Sequence, residues 1–276
     1  MKSTSIIIST YNKPHFLEKV LTGYSCQIYK NFDIIIADDG STEKTREVID
    51  RFKEDTDLDI KHVWQKDNGF QKCAILNKAI EISENDYLIF TDGDCIPNQY
   101  FVKIHVNLAE NGYFLSGGHF PLNASISELV TKDTIISQKC FNKRFLLING
   151  QMLSKNYFKM LKTRWLSYML DKITLTNPTF NGGNTSAWRK DILRINGFDE
   201  RMEYGAEDRE LGYRLNNIKI KSKQIRNRAI CLHLHHDRPY KNSIALQKNR
   251  LIRDKTFSEK SIYTLFGIKN KTIKKE

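Results

Sequence analysis

The sequence predicts an α/β fold, a mostly parallel sheet with helices on both faces, in one main domain. Short β-branched runs alternate with segments of helical periodicity through about the first ninety residues, the pattern of a doubly wound half-sheet. Three of those runs end in polar loops rich in hydroxyls or carboxylates, and such a topology gathers the loops along one edge, where ligands bind. At 276 residues, 40% hydrophobic and 28% charged, the chain is long enough to bury one large core.

Ser5-Ile6-Ile7-Ile8-Ser9 is the first strand, and Thr10-Tyr11-Asn12-Lys13-Pro14 separates it from a helix carrying Leu17, Val20, Leu21 and Tyr24. Asp33-Ile34-Ile35-Ile36-Ala37 repeats the strand signal and ends in Asp38-Asp39-Gly40-Ser41-Thr42. There Ser or Thr can cap a helix bearing Val48, Ile49 and Phe52. The acids of this loop fit a nucleotide site and fit equally a helix start that favours negative charge. A weaker strand, Ile60 to Trp64, leads through Asp67-Asn68-Gly69 to a helix with Cys73, Leu76 and Ile80 on one face. The fourth strand, Tyr87-Leu88-Ile89-Phe90, empties into Thr91-Asp92-Gly93-Asp94-Cys95-Ile96-Pro97. Gly93 permits a tight bend, so Asp94, with Asp92 as a second candidate, can face a divalent cation that carries a diphosphate. An acidic turn without a ligand is the plainer alternative.

From Cys140 to Ile173 the chain is basic and aromatic. Lys143, Arg144, Lys155, Lys159, Lys162 and Arg164 are interleaved with Phe145, Leu147, Tyr157, Phe158, Trp165 and Tyr168. The stretch fits either an anionic membrane surface or a helical excursion with its aromatics packed inward. Next comes Phe180-Asn181-Gly182-Gly183-Asn184, whose adjacent glycines allow close backbone approach, and a short helix from Arg189 to Ile195. In Tyr204-Gly205-Ala206-Glu207-Asp208 the two acids occupy the first turn of the helix bearing Leu211 and Leu215, which is either capping or a carboxylate at a rigid helix start. Cys231-Leu232-His233-Leu234-His235-His236 ends a further strand in a histidine cluster. If the strand continues, His233 and His235 share one face and His236 the other; a loop that begins here is the alternative. Beyond Lys255 the basic tail is either a frayed end or a weak membrane contact.

The formal net charge of +12 calls for an acidic partner: nucleic acid, an anionic membrane, or phosphorylated substrates. No helix-turn-helix, zinc-finger or aromatic RNA-binding motif accompanies the charge, which weighs against nucleic acid. The five cysteines (Cys26, Cys73, Cys95, Cys140, Cys231) are odd in number and without a C-x-x-C pair, so we expect reduced, buried thiols and neither disulfides nor zinc. Without a membrane-length apolar run or a signal-peptide pattern, the expected location is the cytoplasm.

Ser9-Thr10-Tyr11-Asn12, Ala37-Asp38-Asp39-Gly40-Ser41, Asp92-Gly93-Asp94 and Gly205-Ala206-Glu207-Asp208 resemble, in order and spacing, the motifs of family-2 glycosyltransferases of the glycosyltransferase-A fold, from Ser5 to about Asn242. The block from Phe180 through Ile195-Asn196-Gly197-Phe198 to Glu207-Asp208 also resembles the C-terminal region of β-1,4-galactosyltransferases. Gly69-Phe70 to Asn77 is similar to the matching segment of those enzymes and of bacterial chondroitin-type polymerases. The resemblance implies a nucleotide-sugar-binding half at 1–97, an acceptor and catalytic half at 98–254, and the tail at 255–276.

It further implies that Ser9, Thr10, Tyr11, Asn12, Asp39, Gly69, Phe70, Lys72, Asn77, Asp92 and Gly93 hold the nucleotide sugar. Tyr11 and Asp39 would be on the uracil, and Lys72 would reach the diphosphate. Asp94 would bind Mn²⁺ (or Mg²⁺) with His236 as first choice and His233 second, His235 remaining an alternative. Gly182, Gly183, Asn184 and Glu207 would hold the acceptor, and Asp208 would be the base. The implied activity is inverting transfer from a UDP-sugar, of galactose or N-acetylhexosamine type, to a saccharide. The +12 charge, rather than the resemblance, suggests a peripheral enzyme at an anionic inner leaflet acting on a lipid-diphosphate-linked saccharide, as bacterial capsule or lipopolysaccharide assembly would require. Gly-Ala-Glu-Asp in place of Gly-Gly-Glu-Asp, and Asp-Gly-Asp in place of Asp-Val-Asp, keep the carboxylates but leave the sugar open. A non-catalytic nucleotide-sugar module would drop the base or the metal ligands, and none is lost. A nucleotidyltransferase would carry an N-terminal glycine-rich phosphate loop, which Ser9-Thr10-Tyr11-Asn12 is not.

Overall fold

Ile6, Ile7 and Ile8 are all fully buried, Ile6 and Ile8 in the core on one side of the sheet and Ile7 in the core on the other. Alternate side chains of a strand point to opposite faces, so a run that is apolar at every position must be covered on both. Ile34 and Ile36 against Ile35, and Tyr87 and Ile89 against Leu88 and Phe90, divide between the same two cores.

The computed structural model describes residues 3–160, 164–237 and 242–269. Its first half runs β1 (Thr4–Thr10), α1 (Pro14–Ser25), β2 (Phe32–Asp38), α2 (Glu43–Asp55), β3 (Ile60–Trp64), α3 (Lys72–Ile82), β4 (Tyr87–Asp92) and β5 (Cys95–Pro97). There follow α4 (Phe101–Leu108), β6 (Tyr113–Ser116), β7 (Gly118–Pro121), α5 (Ala124–Leu129), α6 (Lys132–Ile136), α7 (Lys143–Ile148) and α8 (Arg164–Ile173). The last part contains β8 (Thr185–Trp188), α9 (Arg189–Arg194), α10 (Glu207–Asn217), β9 (Lys221–Gln224), β10 (Ile230–His233) and α11 (Ser243–Ser258).

Seven strands form the main sheet in the order β3-β2-β1-β4-β8-β6-β9. The four expected strands are parallel, with Ile6 opposite Ile34 on one side and Ile89 on the other. Beyond β4 the sheet turns antiparallel through β8, an extension the sequence reading did not foresee. A second sheet, β5-β10-β7, is also new, and its short pairings decide the site: His233 lies opposite Cys95, and Cys231 opposite His119.

Several expectations need correction. Thr42 stands at the N-cap of α2 but makes no side-chain cap; Ser41 Oγ instead accepts from the Asn12 amide at 2.8 Å. The strand carrying the histidines ends at His233, so His233 and His235 do not share a strand face. The tail is docked through residue 269: Ile268 is buried, and the Arg201 guanidinium lies 3.9 Å from the centre of the Phe266 ring. α11 also runs across residue 255, where the sequence placed the start of that tail. The excursion from 140 to 173 divides, with Leu146 and Tyr157 buried while Phe158 and Trp165 are exposed. Lys162 and the side chain of Arg164 lie outside the described residues. All five cysteines are free, and all but Cys26 are buried.

Candidate active site

The carboxyl ends of β1 and β4, the start of α3, the loop before β8 and the start of α10 surround one cavity of about 1050 Å³. On one wall the antiparallel pairing of β10 with β5 brings the end of β10 beside Asp94, and the Leu234 amide donates to the Asp94 carbonyl at 2.9 Å. His236 Nε2 is 2.7 Å from Asp94 Oδ2 and His233 Nε2 is 3.7 Å from Asp94 Oδ1. The two imidazoles stack with centroids 5.4 Å apart. Burial alone would raise the Asp94 carboxyl, but the His236 hydrogen bond and the charge of both histidines hold it well below the usual carboxylate range. His236 is raised in turn, first by that hydrogen bond.

These three residues offer an oxygen and two nitrogens within 4.8 Å of one another. The set fits a divalent cation, and two imidazoles suit Mn²⁺ better than Mg²⁺, which favours oxygen throughout. His235 stands apart, exposed, with its amide donating to Ser127 Oγ.

Asp92, Asp94 and the Cys95 thiol form a second group with ligand atoms within 4.8 Å of one another, but Asp92 is also engaged on its other side. Its Oδ1 accepts from Lys72 Nζ at 2.6 Å and from Ser9 Oγ at 2.7 Å. Burial would lower the Lys72 ammonium, but the charges of Asp92 and Glu207 raise it, so it stays protonated. The backbone passes close beside this pair: a Cβ at Gly183 would approach Asp92 Oδ2 to 3.2 Å, and one at Gly182 would approach Lys72 Nζ to 3.3 Å, so a side chain at either position would crowd the pair. At Gly93 a Cβ would meet the Ser9 carbonyl at 3.1 Å, which lets the acidic loop fold back on β1.

The opposite wall is the first turn of α10, entered through Ala206 in the left-handed region (φ 66°). Asp208 Oδ2 accepts from the Gly182 amide at 3.0 Å and Oδ1 from the Arg209 amide at 2.7 Å. Two backbone donors, Lys72 and the helix start favour the carboxylate, while burial, the largest influence, pushes Asp208 upward. Glu207, held by the Gly205 amide, is pushed up to about 7 by burial and by the adjacent Asp208 charge.

At the other end, Asp39 accepts from Gln65 Nε2 at 2.6 Å and from the Gln71 amide at 2.8 Å, and burial raises it. Tyr11, nearly half exposed, donates to Asp67 at 2.7 Å. Thr10, Asn12, Gly69 and Phe70 line the same cavity.

Two expected binding residues lie elsewhere. Asn77 is fully buried and clamps the Phe198 backbone through both amide atoms, at 2.7 and 2.9 Å. Asn184 is also fully buried; its Nδ2 donates to the Gly118 and Ala229 carbonyls and its Oδ1 faces His105 Nε2 at 2.9 Å. Conversely, His119 on β7 and Leu246, Arg250 and Arg253 on α11 line the cavity, and no local motif announced them.

A profile described as "Glycosyl transferase family 2" matches residues 5–193. The chain belongs to that family. A second profile, described as "N-terminal domain of galactosyltransferase", matches residues 166–237 of this family-2 chain. It is 31% identical to a chondroitin synthase of Escherichia coli over 76% of its own length and 32% of the relative's. It is 28% identical to a hyaluronan synthase of Pasteurella multocida over 76% of itself and 22% of that protein. The family-2 chain thus spans about a third or less of the length of these relatives.

Among solved structures, the mannosyltransferase PcManGT from Pyrobaculum calidifontis, in complex with GDP-Man and Mn²⁺, shares the fold at a TM-score of 0.59 and 17% identity. It covers 87% of this chain and 59% of that one. S. aureus TarS residues 1–349 with UDP-GlcNAc give the same TM-score and identity, with 87% and 60% covered. The glycosyltransferase-A architecture is therefore that of this chain as well.

Proposed function

We propose that this chain is an inverting, metal-dependent glycosyltransferase that moves a hexosyl or N-acetylhexosaminyl group from a UDP-sugar to a saccharide acceptor. One observation carries the reading: a carboxylate and two imidazoles near enough to hold a cation, a lysine–carboxylate pair and a helix-start carboxylate all line a single cavity. Neighbours of the same fold hold GDP-Man with Mn²⁺ and UDP-GlcNAc, which supports a nucleotide-sugar donor. Relatives that are chondroitin and hyaluronan synthases support a saccharide acceptor in bacterial surface polysaccharide assembly.

Displacing a nucleoside diphosphate from an anomeric carbon leaves negative charge on the departing oxygens and positive charge on the sugar. Asp94, His233 and His236 would hold the divalent cation, which supplies electrostatic relief to the leaving diphosphate. The Lys72 ammonium, kept charged by Asp92, adds a fixed positive group to the same region. Asp208, oriented by the Gly182 and Arg209 amides, accepts the proton of the attacking acceptor hydroxyl. Glu207 beside it, with its raised affinity for a proton, hydrogen-bonds acceptor hydroxyls. One in-line displacement converts an α-linked donor into a β-glycoside.

The test is incubation with Mn²⁺, a panel of UDP-sugars and short oligosaccharide acceptors, following UDP release and the anomeric configuration of the product. β-Linked product formed only with Mn²⁺ is expected. Absence of release across the panel with every acceptor, or an α-linked product, would overturn the reading.

A further inference from the structure

Helix α8 is built inside out. Its buried side chains include the polar Ser167 and Asp171, four residues apart and so on one face. The outward side carries Trp165, Leu166, Met169 and Ile173, with Trp165 68% and Ile173 64% exposed, and Leu175 just beyond is fully exposed. Asp171 fixes this orientation: it accepts from the Asn227 amide and side chain at 2.8 and 2.9 Å and pairs with Arg228 Nε at 2.6 Å. Upstream, Met152, Leu153 and Phe158 are exposed as well. A soluble surface helix normally turns its apolar stripe to the core, so an anchored helix that does the reverse marks a contact surface.

We propose that this face docks on an anionic lipid bilayer. Between residues 139 and 176 there are eight lysines and arginines against one acid, Asp171, which is engaged by Arg228. A second copy of the chain would bring the same positive charge to the contact and be repelled. A bilayer with anionic headgroups offers an apolar phase for Trp165, Met169 and Ile173 and phosphates for the surrounding lysines. Tryptophan and tyrosine, here Trp165 and Tyr168, suit the headgroup boundary.

The docking face adjoins the cavity. Asn227 and Arg228, which grip α8, immediately precede β10 and its His233, and Lys159 Nζ donates to the carbonyl of the cavity-lining His119 at 2.7 Å. On the glycosyl-transfer reading above, which this step alone rests on, the bilayer would present a lipid-linked acceptor beside Asp208.

The experiment is flotation of the full chain with vesicles of phosphatidylcholine alone or mixed with phosphatidylglycerol. Binding to the mixed vesicles only, reversed by about 0.5 M salt, is expected. The double variant Trp165→Ser, Ile173→Ser should lose about tenfold or more in partitioning, and the double variant Lys155→Glu, Lys172→Glu should lose about fivefold. Circular dichroism confirms that these exposed substitutions leave the fold intact. UDP release with a water-soluble acceptor, measured in parallel, should be unchanged in the variants, so failure of the docking and failure of the proposed reaction are separable. No flotation with anionic vesicles, undiminished flotation of both variants, or a dimer in light scattering that the serine variant dissolves would overturn the proposal.

Discussion

Lys72 Nζ lies 2.6 Å from Asp92 Oδ1, so the first acid of Asp92-Gly93-Asp94 is paired with a helix lysine while the second faces two histidines. Two carboxylates one residue apart, near enough to share a cation, thus have different side-chain partners. The first keeps a lysine charged, and the second completes a triad whose atoms could hold a cation.

Lys72→Met removes the positive charge that the proposed mechanism places near the diphosphate. Turnover should fall about 10²-fold. The acid limb of the pH–rate profile should move to higher pH, because Lys72 opposes the upward shift of both Glu207 and Asp208. Steady-state UDP release across a pH series measures both effects.

Asp94→Ala should abolish Mn²⁺-dependent UDP affinity in calorimetry while circular dichroism shows the fold retained, since the carboxylate faces the cavity rather than the apolar core. His236→Ala should weaken that affinity less, because Asp94 and His233 remain. A larger loss from His233→Ala would reverse the ranking of the two histidines.

Glu207 is raised from its ordinary 4.5 to about 7 in the folded protein. The native state then holds this proton more tightly than the unfolded chain. Its contribution to stability is full below pH 4.5 and declines as pH rises through about 7. Denaturant midpoints between those pH values should fall with rising pH in the wild type, and Glu207→Gln should flatten that slope.

Ala206 adopts φ 66° with a side chain that disfavours it. Ala206→Gly removes strain of about 1 kcal/mol, which should raise the melting temperature by about 2–4 °C in a chain of this size. Scanning calorimetry reads this directly.

The parallel half of the sheet was legible because Ile6 to Ile8 and Ile34 to Ile36 can only be strands covered on both faces. Asp94 and Asp208 were legible because each sits at a boundary between elements that local patterning marks. The histidine geometry was not. It depends on three-residue pairings of β10 with β5 and on the strand ending at His233, which no periodicity reveals. Asn77 and Asn184 are expected as ligand contacts because they fall in segments that resemble those of the family. Their partners, Phe198 and Ala229, are 121 and 45 residues away, and only the assembled fold shows both amides satisfied in the core. Arg250 and Arg253 reach the cavity from a helix whose placement depends on tertiary contacts, among them the buried hydrogen bond of Thr256 to Glu210 at 2.9 Å.

The most direct test of the account is turnover and UDP-sugar affinity in Asp208→Asn. The amide keeps the size of the side chain and can still accept from the Gly182 backbone, but it cannot take a proton. The account predicts that turnover falls by about 10²–10⁴ while donor affinity stays within about twofold. Near-normal turnover in Asp208→Asn, with or without loss in Glu207→Gln, would contradict the assignment of Asp208 as the base.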